Sequence, residues 1–80
     1  MDTRTSSLPA SAFAVAHGQR IPRLEQIGPA HFQLCFDDPE GQAAKLIDNY
    51  FHGATVSARD FYSALRDLRL AINKAKGGAR

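Results

Sequence analysis

Four side chains that could bind a metal or act as a nucleophile are scattered along the chain: His17, His31, Cys35 and His52. Zinc sites in proteins use ligands at short, regular spacings, such as Cys-x-x-Cys or two histidines on one helix face. These four residues show no such spacing. We therefore expect no metal site and no cofactor.

Cys35 and His31 fall on the same side of an extended segment, which raises the question of a catalytic thiol. Four residues of a strand span about 13 Å. This distance is too long for the hydrogen bond by which a base activates a thiol. We expect no catalytic residues, and the chain is not predicted to be an enzyme.

Four acidic residues could suggest a magnesium site or an acid–base pair: Asp37, Asp38, Glu40 and Asp48. The sequence Asp38-Pro39-Glu40 is also a typical helix start, with aspartate at the cap, proline at the first position and glutamate in the first turn. This structural explanation accounts for the first three carboxylates without a ligand.

The distribution of basic residues gives the strongest functional signal. Residues 1–58 contain four Lys or Arg and six Asp or Glu, whereas residues 59–80 contain six Lys or Arg and two Asp or Glu. On a helix, most of the basic side chains in this final segment fall near one side. The candidate nucleic-acid-binding residues are Arg59, Arg66, Arg69, Asn73 and Lys76. Such a face would bind through phosphate contacts; the alternative is an ordinary solvated face of an amphipathic helix.

The helix that carries these residues is predicted over 57–76. Ser57 and Asp60 have the spacing of a capping box. Phe61, Leu65, Leu68 and Ile72 then recur at helical spacing, so they mark the side that packs against the core.

The remaining elements are predicted from apolar spacing and from turn residues. A short helix covers residues 8–17, with Ser7 or Leu8 as its cap and Gly18 at its end. Residues 19–27 form an edge strand, because Pro22 lacks an amide donor. Residues 31–37 alternate regularly, as in a half-buried strand. A second helix covers residues 39–52, and His52-Gly53 ends it as His17-Gly18 ends the first.

This order predicts a small α+β domain, α-β-β-α-α, in which a two-stranded antiparallel hairpin packs against helices. Residues 1–80 form one domain, and residues 1–7 and 77–80 are expected to be flexible. The predicted core consists of Phe32, Leu34, Phe36, Ile47, Tyr50, Phe51, Phe61, Leu65 and Leu68.

Composition indicates whether the chain folds and in which compartment it is expected. Its 44% hydrophobic content favours a folded domain over a disordered one. One cysteine excludes an internal disulfide, and the longest apolar run, residues 12–16, is too short to cross a bilayer. We expect a cytoplasmic protein without a membrane partner. The poorly protected edge near Pro22 favours a homodimer.

Several segments resemble a domain-of-unknown-function family whose members are short proteins of bacteria, phages and mobile elements. The resemblance lies in Ala12-Phe13 to His17-Gly18, in Phe32-x-Leu-x-Phe-Asp-Asp, and in the stretch from Tyr50-Phe51-His-Gly to Ala64-Leu-Arg-Asp-Leu. It extends over about residues 7–72. The resemblance implies the α-β-β-α-α order and a mobile-element context, and it implies no catalytic residues.

Together these observations predict a small non-enzymatic accessory protein of a phage or mobile element that binds nucleic acid through the basic face of its last helix. One specific version is a ribbon-helix-helix dimer, in which His31, Gln33 and Cys35 would face the major groove. The alternative function is a protein-binding module or inhibitor that covers a surface of a host protein complex.

Overall fold

A computed structural model describes residues 2–29 and 31–77 of the protein, and the side chains among them as far as residue 75. The described residues form three strands and three helices. In chain order these are β1 (Asp2–Thr5), α1 (Leu8–Ala16), β2 (Arg23–Gly28), β3 (His31–Asp37), α2 (Gln42–Phe51) and α3 (Ala58–Gly77). The predicted α+β class is confirmed, as is the order of elements from residue 8 onward.

β3 is the central strand of the sheet. The strands are antiparallel in the order β1-β3-β2. β2 lies at an edge, as the sequence predicts, but it begins at Arg23, so Pro22 and the rest of the predicted stretch 19–22 lie before the strand. Leu34 and Phe36 are buried and pack against residues of the helices. Because successive side chains of a strand point to opposite faces, Cys35 lies on the other face of the sheet.

β1 contradicts the predicted two-stranded hairpin, because the sheet has three strands, and it places part of the segment that the sequence predicts to be flexible, Asp2–Thr5, in a strand. Asp2–Thr5 pairs with β3 and places Thr3 opposite Phe36 and Thr5 opposite Leu34. A strand is recognised in a sequence by alternating apolar residues, whereas β1 has threonines at its helix-facing positions. The strand therefore lacks the expected signal. Residues 78–80, within the other segment expected to be flexible, lie outside the described residues.

α1 is enclosed by the other elements. Its five consecutive residues from Ala10 to Ala14 are all buried, and five residues go more than once around a helix. Both α2 and α3 pack against α1, while Leu34 and Phe36 contact it from the sheet. The core is thus built around this short helix, whose small side chains allow neighbours to approach closely.

The two His-Gly sequences end helices in the same way. Gly18 has φ 103° and Gly53 has φ 84°, values in the left-handed region that glycine adopts without strain. After each glycine, the next amide donates to a carbonyl of the last helical turn, from Gln19 to Ala14 and from Ala54 to Asn49, both at 3.1 Å. The predicted glycine ends of α1 and α2 are confirmed.

The start of α2 differs from the prediction. The sequence predicts a helix over 39–52 directly after Asp38, but α2 begins at Gln42, following a turn that ends at Gly41. Asp38 still caps the helix from before this turn. Its carboxylate oxygens accept hydrogen bonds from the amides of Ala43 at 3.0 Å and Ala44 at 3.1 Å. The cap position is occupied by Gly41, so the predicted helix start was wrong, although Asp38 does accept hydrogen bonds from amides of the first turn.

Asp38 is also the point where three elements meet. Its side chain is buried at the end of β3, and it accepts a hydrogen bond of 2.7 Å from the Thr3 hydroxyl of β1. Burial by itself raises the pKa of the Asp38 carboxyl, but hydrogen bonds from Thr3 and from the amides of Ala43, Ala44 and Gln42 outweigh burial and hold this pKa below its ordinary value.

The core agrees with the prediction in part. Leu34, Phe36 and Leu68 are buried. The partly buried members of the predicted set are Phe32, Ile47, Tyr50, Phe61 and Leu65. Phe51 is 65% exposed, so its assignment to the core is wrong. Phe51 is the last residue of α2 and lies about 80° around the helix from the buried Ala43.

Truncation of Leu68 tests this core. Leu68→Ala removes a buried side chain and should lower the free energy of unfolding by about 2–5 kcal/mol. Leu70→Ala is the matched control, because Leu70 lies on the same helix but is 60% exposed; it should stay within about 0.5 kcal/mol of wild type. Urea unfolding followed by circular dichroism measures both. Equal losses in the two variants would contradict the assigned packing of α3.

The Asp38 junction predicts how stability depends on pH. Because the folded-state pKa of Asp38 lies below the unfolded value, ionised Asp38 stabilises the fold above about pH 4, and this contribution is lost as the pH falls through the folded-state pKa. Asp38→Asn should cost roughly 1–3 kcal/mol at neutral pH and should weaken the acid dependence. Unfolding curves from neutral to acidic pH measure both effects. Asp37→Asn, at the exposed neighbouring residue, is the control; an unchanged acid dependence in Asp38→Asn would refute the role of this carboxylate.

Candidate functional site

α3 is the element that positions the candidate residues. Ser57 is at its N-terminus, where the Ser57 carbonyl accepts from the Phe61 amide at 2.9 Å and the hydroxyl accepts from the Asp60 amide at 3.5 Å. The predicted cap is therefore at Ser57. One side of the helix packs into the core through Phe61, Ala64, Leu65 and Leu68, which fixes the side that faces away from α1.

The predicted site residues whose side chains the structure describes lie on that outward side. Arg59, Arg66, Arg69 and Asn73 are all exposed, and at 100° per residue they lie within about 80° of one another around the helix. The structure thus brings these four predicted residues onto one surface. The side chain of Lys76, the fifth candidate, lies outside the described residues.

Most of the positive charge of this surface is unpaired. Arg66 lies 3.7 Å from the Asp67 carboxylate, and both side chains are more than half exposed, so their interaction is weak. Within residues 2–29 and 31–75, neither Arg59 nor Arg69 has a carboxylate at ion-pair distance. Their guanidinium groups are available to an anionic partner.

Two apolar side chains on the same surface were not predicted as site residues. Tyr62 is 65% exposed and Leu70 is 60% exposed. Both line a shallow depression of about 130 Å³ together with Leu65, Arg66, Arg69 and Asn73. The sequence does show that Tyr62, Arg66 and Leu70 are spaced four apart and form one row along a helix, but this spacing does not show that the row is exposed. We call the exposed residues Tyr62, Arg66, Arg69, Leu70 and Asn73 the α3 outer face.

The open face of the sheet is charged in a different way, because its basic residues have acidic partners. Arg4 donates to Glu25 at 2.9 Å across the sheet, and this hydrogen bond is the main cause that raises the pKa of Arg4. Arg23 lies 3.3 Å from the Asp2 carboxylate. These cross-strand pairs neutralise the sheet face, so it competes poorly for a polyanion.

A larger cleft lies beside that face, between the α1–β2 connection and the end of β3. It has a volume of about 650 Å³, and residues lining it are Gly18, Gln19, Arg20, Ile21, Arg23, Cys35, Phe36, Asp37 and Pro39. Cys35 is fully buried, and its sulfur accepts a hydrogen bond from Arg23 at 3.2 Å. His31, at the opposite end of β3, is about 13 Å along the strand from Cys35.

The other candidate ligands are engaged in structural contacts. His17 packs on Phe13 with ring centroids 4.4 Å apart, and His52 lies with its Nδ1 2.8 Å from the Asp48 carbonyl oxygen. Within the described part of the chain, no group of three or more His, Cys, Asp or Glu residues is arranged to hold a metal ion.

The topology excludes the ribbon-helix-helix version of the nucleic-acid hypothesis. In that architecture the strand pairs with the same strand of a second chain. β3 is already paired on both sides, with β1 and β2. Cys35, expected to face a groove, is buried. The hypothesis was wrong because β1 carries too little apolar signal to be recognised from sequence.

No protein-family model, curated protein or solved structure matches the chain. The resemblance to a family of bacterial and phage proteins therefore stays a prediction. Among the described helices, none combines the length and apolarity needed to cross a membrane.

The burial of Cys35 can be tested with a thiol reagent. Modification of the native protein should be slower than that of the unfolded chain by on the order of tenfold or more, since the thiol must first become accessible. Arg23→Ala removes the side chain that contacts the sulfur and should increase the rate. Arg20→Ala, which changes another basic residue of the same cleft, should not. Equal rates for native and unfolded protein would show that the thiol is open to solvent.

Proposed function

We propose that the protein is a non-enzymatic nucleic-acid-binding protein whose contact surface is the outward side of α3. The observation that carries this proposal is the exposure of Arg59, Arg66 and Arg69 on one helix side, with Arg59 and Arg69 free of acidic partners among the described residues. The adjoining amide of Asn73 can donate to phosphate or to a base edge.

The physical basis of binding is the release of counterions. Each guanidinium that neutralises a phosphate frees condensed cations, so the logarithm of affinity falls linearly with the logarithm of salt concentration. This mechanism needs accessible cations on a rigid support, and the packed side of α3 provides the support through Leu68 and Ala64, which are buried.

A protein-binding module remains the second candidate, and the edge position of β2 favours it. β2 pairs with β3 on one side only among the described strands, and Ile27 on it is 58% exposed. An extended segment of another protein could add to this edge by main-chain hydrogen bonds. Such binding would persist at high salt, unlike binding to phosphates. A homodimer through the same edge stays a prediction.

A salt titration tests the proposed function. Wild type and Arg66→Ala/Arg69→Ala are titrated against random duplex DNA, single-stranded DNA and single-stranded RNA at several salt concentrations. Loss of two phosphate contacts should reduce the slope of log affinity against log salt by about 1.8 on duplex DNA or about 1.4 on single strands. Because both arginines are exposed, stability should stay within about 0.5 kcal/mol.

The matched control removes the same charge elsewhere. Arg20→Ala/Lys45→Ala changes two exposed basic residues outside α3 and should leave the slope nearly unchanged. If both double variants lower the slope equally, net charge alone drives binding and the α3 surface is not the contact site. If wild type binds none of the three nucleic acids at low salt, the proposed function is wrong.

A further inference from the structure

We propose that Tyr62 is a stacking platform for an unpaired base, so that the α3 outer face recognises single-stranded nucleic acid. This inference rests on the proposed function and adds the class of nucleic acid to it. It concerns unpaired bases of DNA or RNA alike, because every base offers a flat aromatic face.

Tyr62 is an exposed aromatic residue on α3. Its side chain is 65% exposed, and it lies about 120° around α3 from the buried Leu68. Among the described residues, the aromatic contacts of the protein involve α1, α2 and the adjoining His17, and none involves Tyr62. Its ring is therefore free to receive another ring.

Basic and polar side chains lie beside Tyr62. Arg66, Arg69 and Asn73 line the same depression as Tyr62, and the run from residue 62 to residue 73 extends about 16 Å along the helix. An aromatic ring set among guanidinium groups is the combination that single-strand-binding surfaces use, with bases on the ring and phosphates on the cations. Leu70, 60% exposed on this face, adds an apolar contact for a base or sugar.

A duplex cannot use this combination. Its bases are stacked inside the helix, so only phosphates and groove edges are offered to a protein surface. Arg66 and Arg69 would then still bind, while Tyr62 would contribute little. The contribution of Tyr62 is thus the property that separates single-strand recognition from simple attraction to a polyanion.

The experiment compares binding to oligothymidylate, oligouridylate, an abasic oligomer of equal length and a random duplex. The abasic oligomer keeps the phosphates and lacks the bases. Tyr62→Ala should weaken binding to the first two by about 5- to 150-fold, as expected for loss of one base–aromatic stack. Tyr62→Phe keeps the aromatic ring and should retain most of the wild-type affinity. Neither variant should change binding to the abasic oligomer or the duplex.

Phe51→Ala is the matched control, because Phe51 is an aromatic residue on α2 with the same exposed fraction, 65%. It should leave all four affinities unchanged. The salt slope of Tyr62→Ala should equal that of wild type, since no phosphate contact is lost. Thermal unfolding verifies that each variant is folded.

Tyrosine fluorescence gives a direct readout. The chain has two tyrosines and no tryptophan, so Tyr50→Phe leaves Tyr62 as the single emitter. Addition of oligothymidylate should quench this emission, whereas the abasic oligomer should not, because only a base can stack on the ring.

The outcomes separate this inference from the proposed function. If Tyr62→Ala binds both oligonucleotides like wild type while Arg66→Ala/Arg69→Ala lowers the salt slope, base stacking is refuted and phosphate binding by α3 stands. Stacking would likewise be refuted if Tyr62→Ala lost as much affinity for the abasic oligomer as for the oligonucleotides that carry bases. If wild type binds none of the four probes, both proposals fail. The inference is supported if Tyr62→Ala loses affinity only for the oligonucleotides that carry bases and if oligothymidylate quenches the fluorescence of Tyr62.

Discussion

The buried carboxylate of Asp38 is the interaction on which the rest of the structure depends. It accepts from the Thr3 hydroxyl of β1 and from two amides at the start of α2, and Asp38 itself directly follows β3. One side chain thereby joins the first strand, the central strand and the second helix. An ionised carboxylate can be buried at acceptable cost when hydrogen-bond donors surround it, which is the arrangement found here.

The enclosure of α1 between the sheet, α2 and α3 explains why the candidate site is on α3. Once the sheet, α2 and α3 pack against α1, its residues from Ala10 to Ala14 are buried and offer no surface to a ligand. Cross-strand ion pairs neutralise the sheet face. The outward side of α3 then keeps exposed arginines beside exposed apolar side chains, a combination suited to a polyanion that also has flat apolar groups.

The parts of the fold that could be predicted are those with a local signal. Alternation defined β3, and the glycines after His17 and His52 defined two helix ends. β1 has no apolar alternation, and its pairing depends on a contact with Asp38 far along the chain, so local patterns could not reveal it. For the candidate site, the helical spacing of the basic residues predicted that the arginines lie on one side of α3. Tyr62 was missed because spacing alone does not show whether an aromatic residue outside the apolar stripe is covered by another element.

The position of β1 in the sheet also affects the order in which the protein can fold. The Thr3–Asp38 hydrogen bond joins residues separated by 35 positions, whereas the β2–β3 hairpin is closed by a short turn. Closing the longer loop costs more chain entropy, and contacts between distant residues slow folding. β1 can therefore pair only once β3 and the start of α2, which lie later in the chain, are in place, and until then β3 presents a free edge.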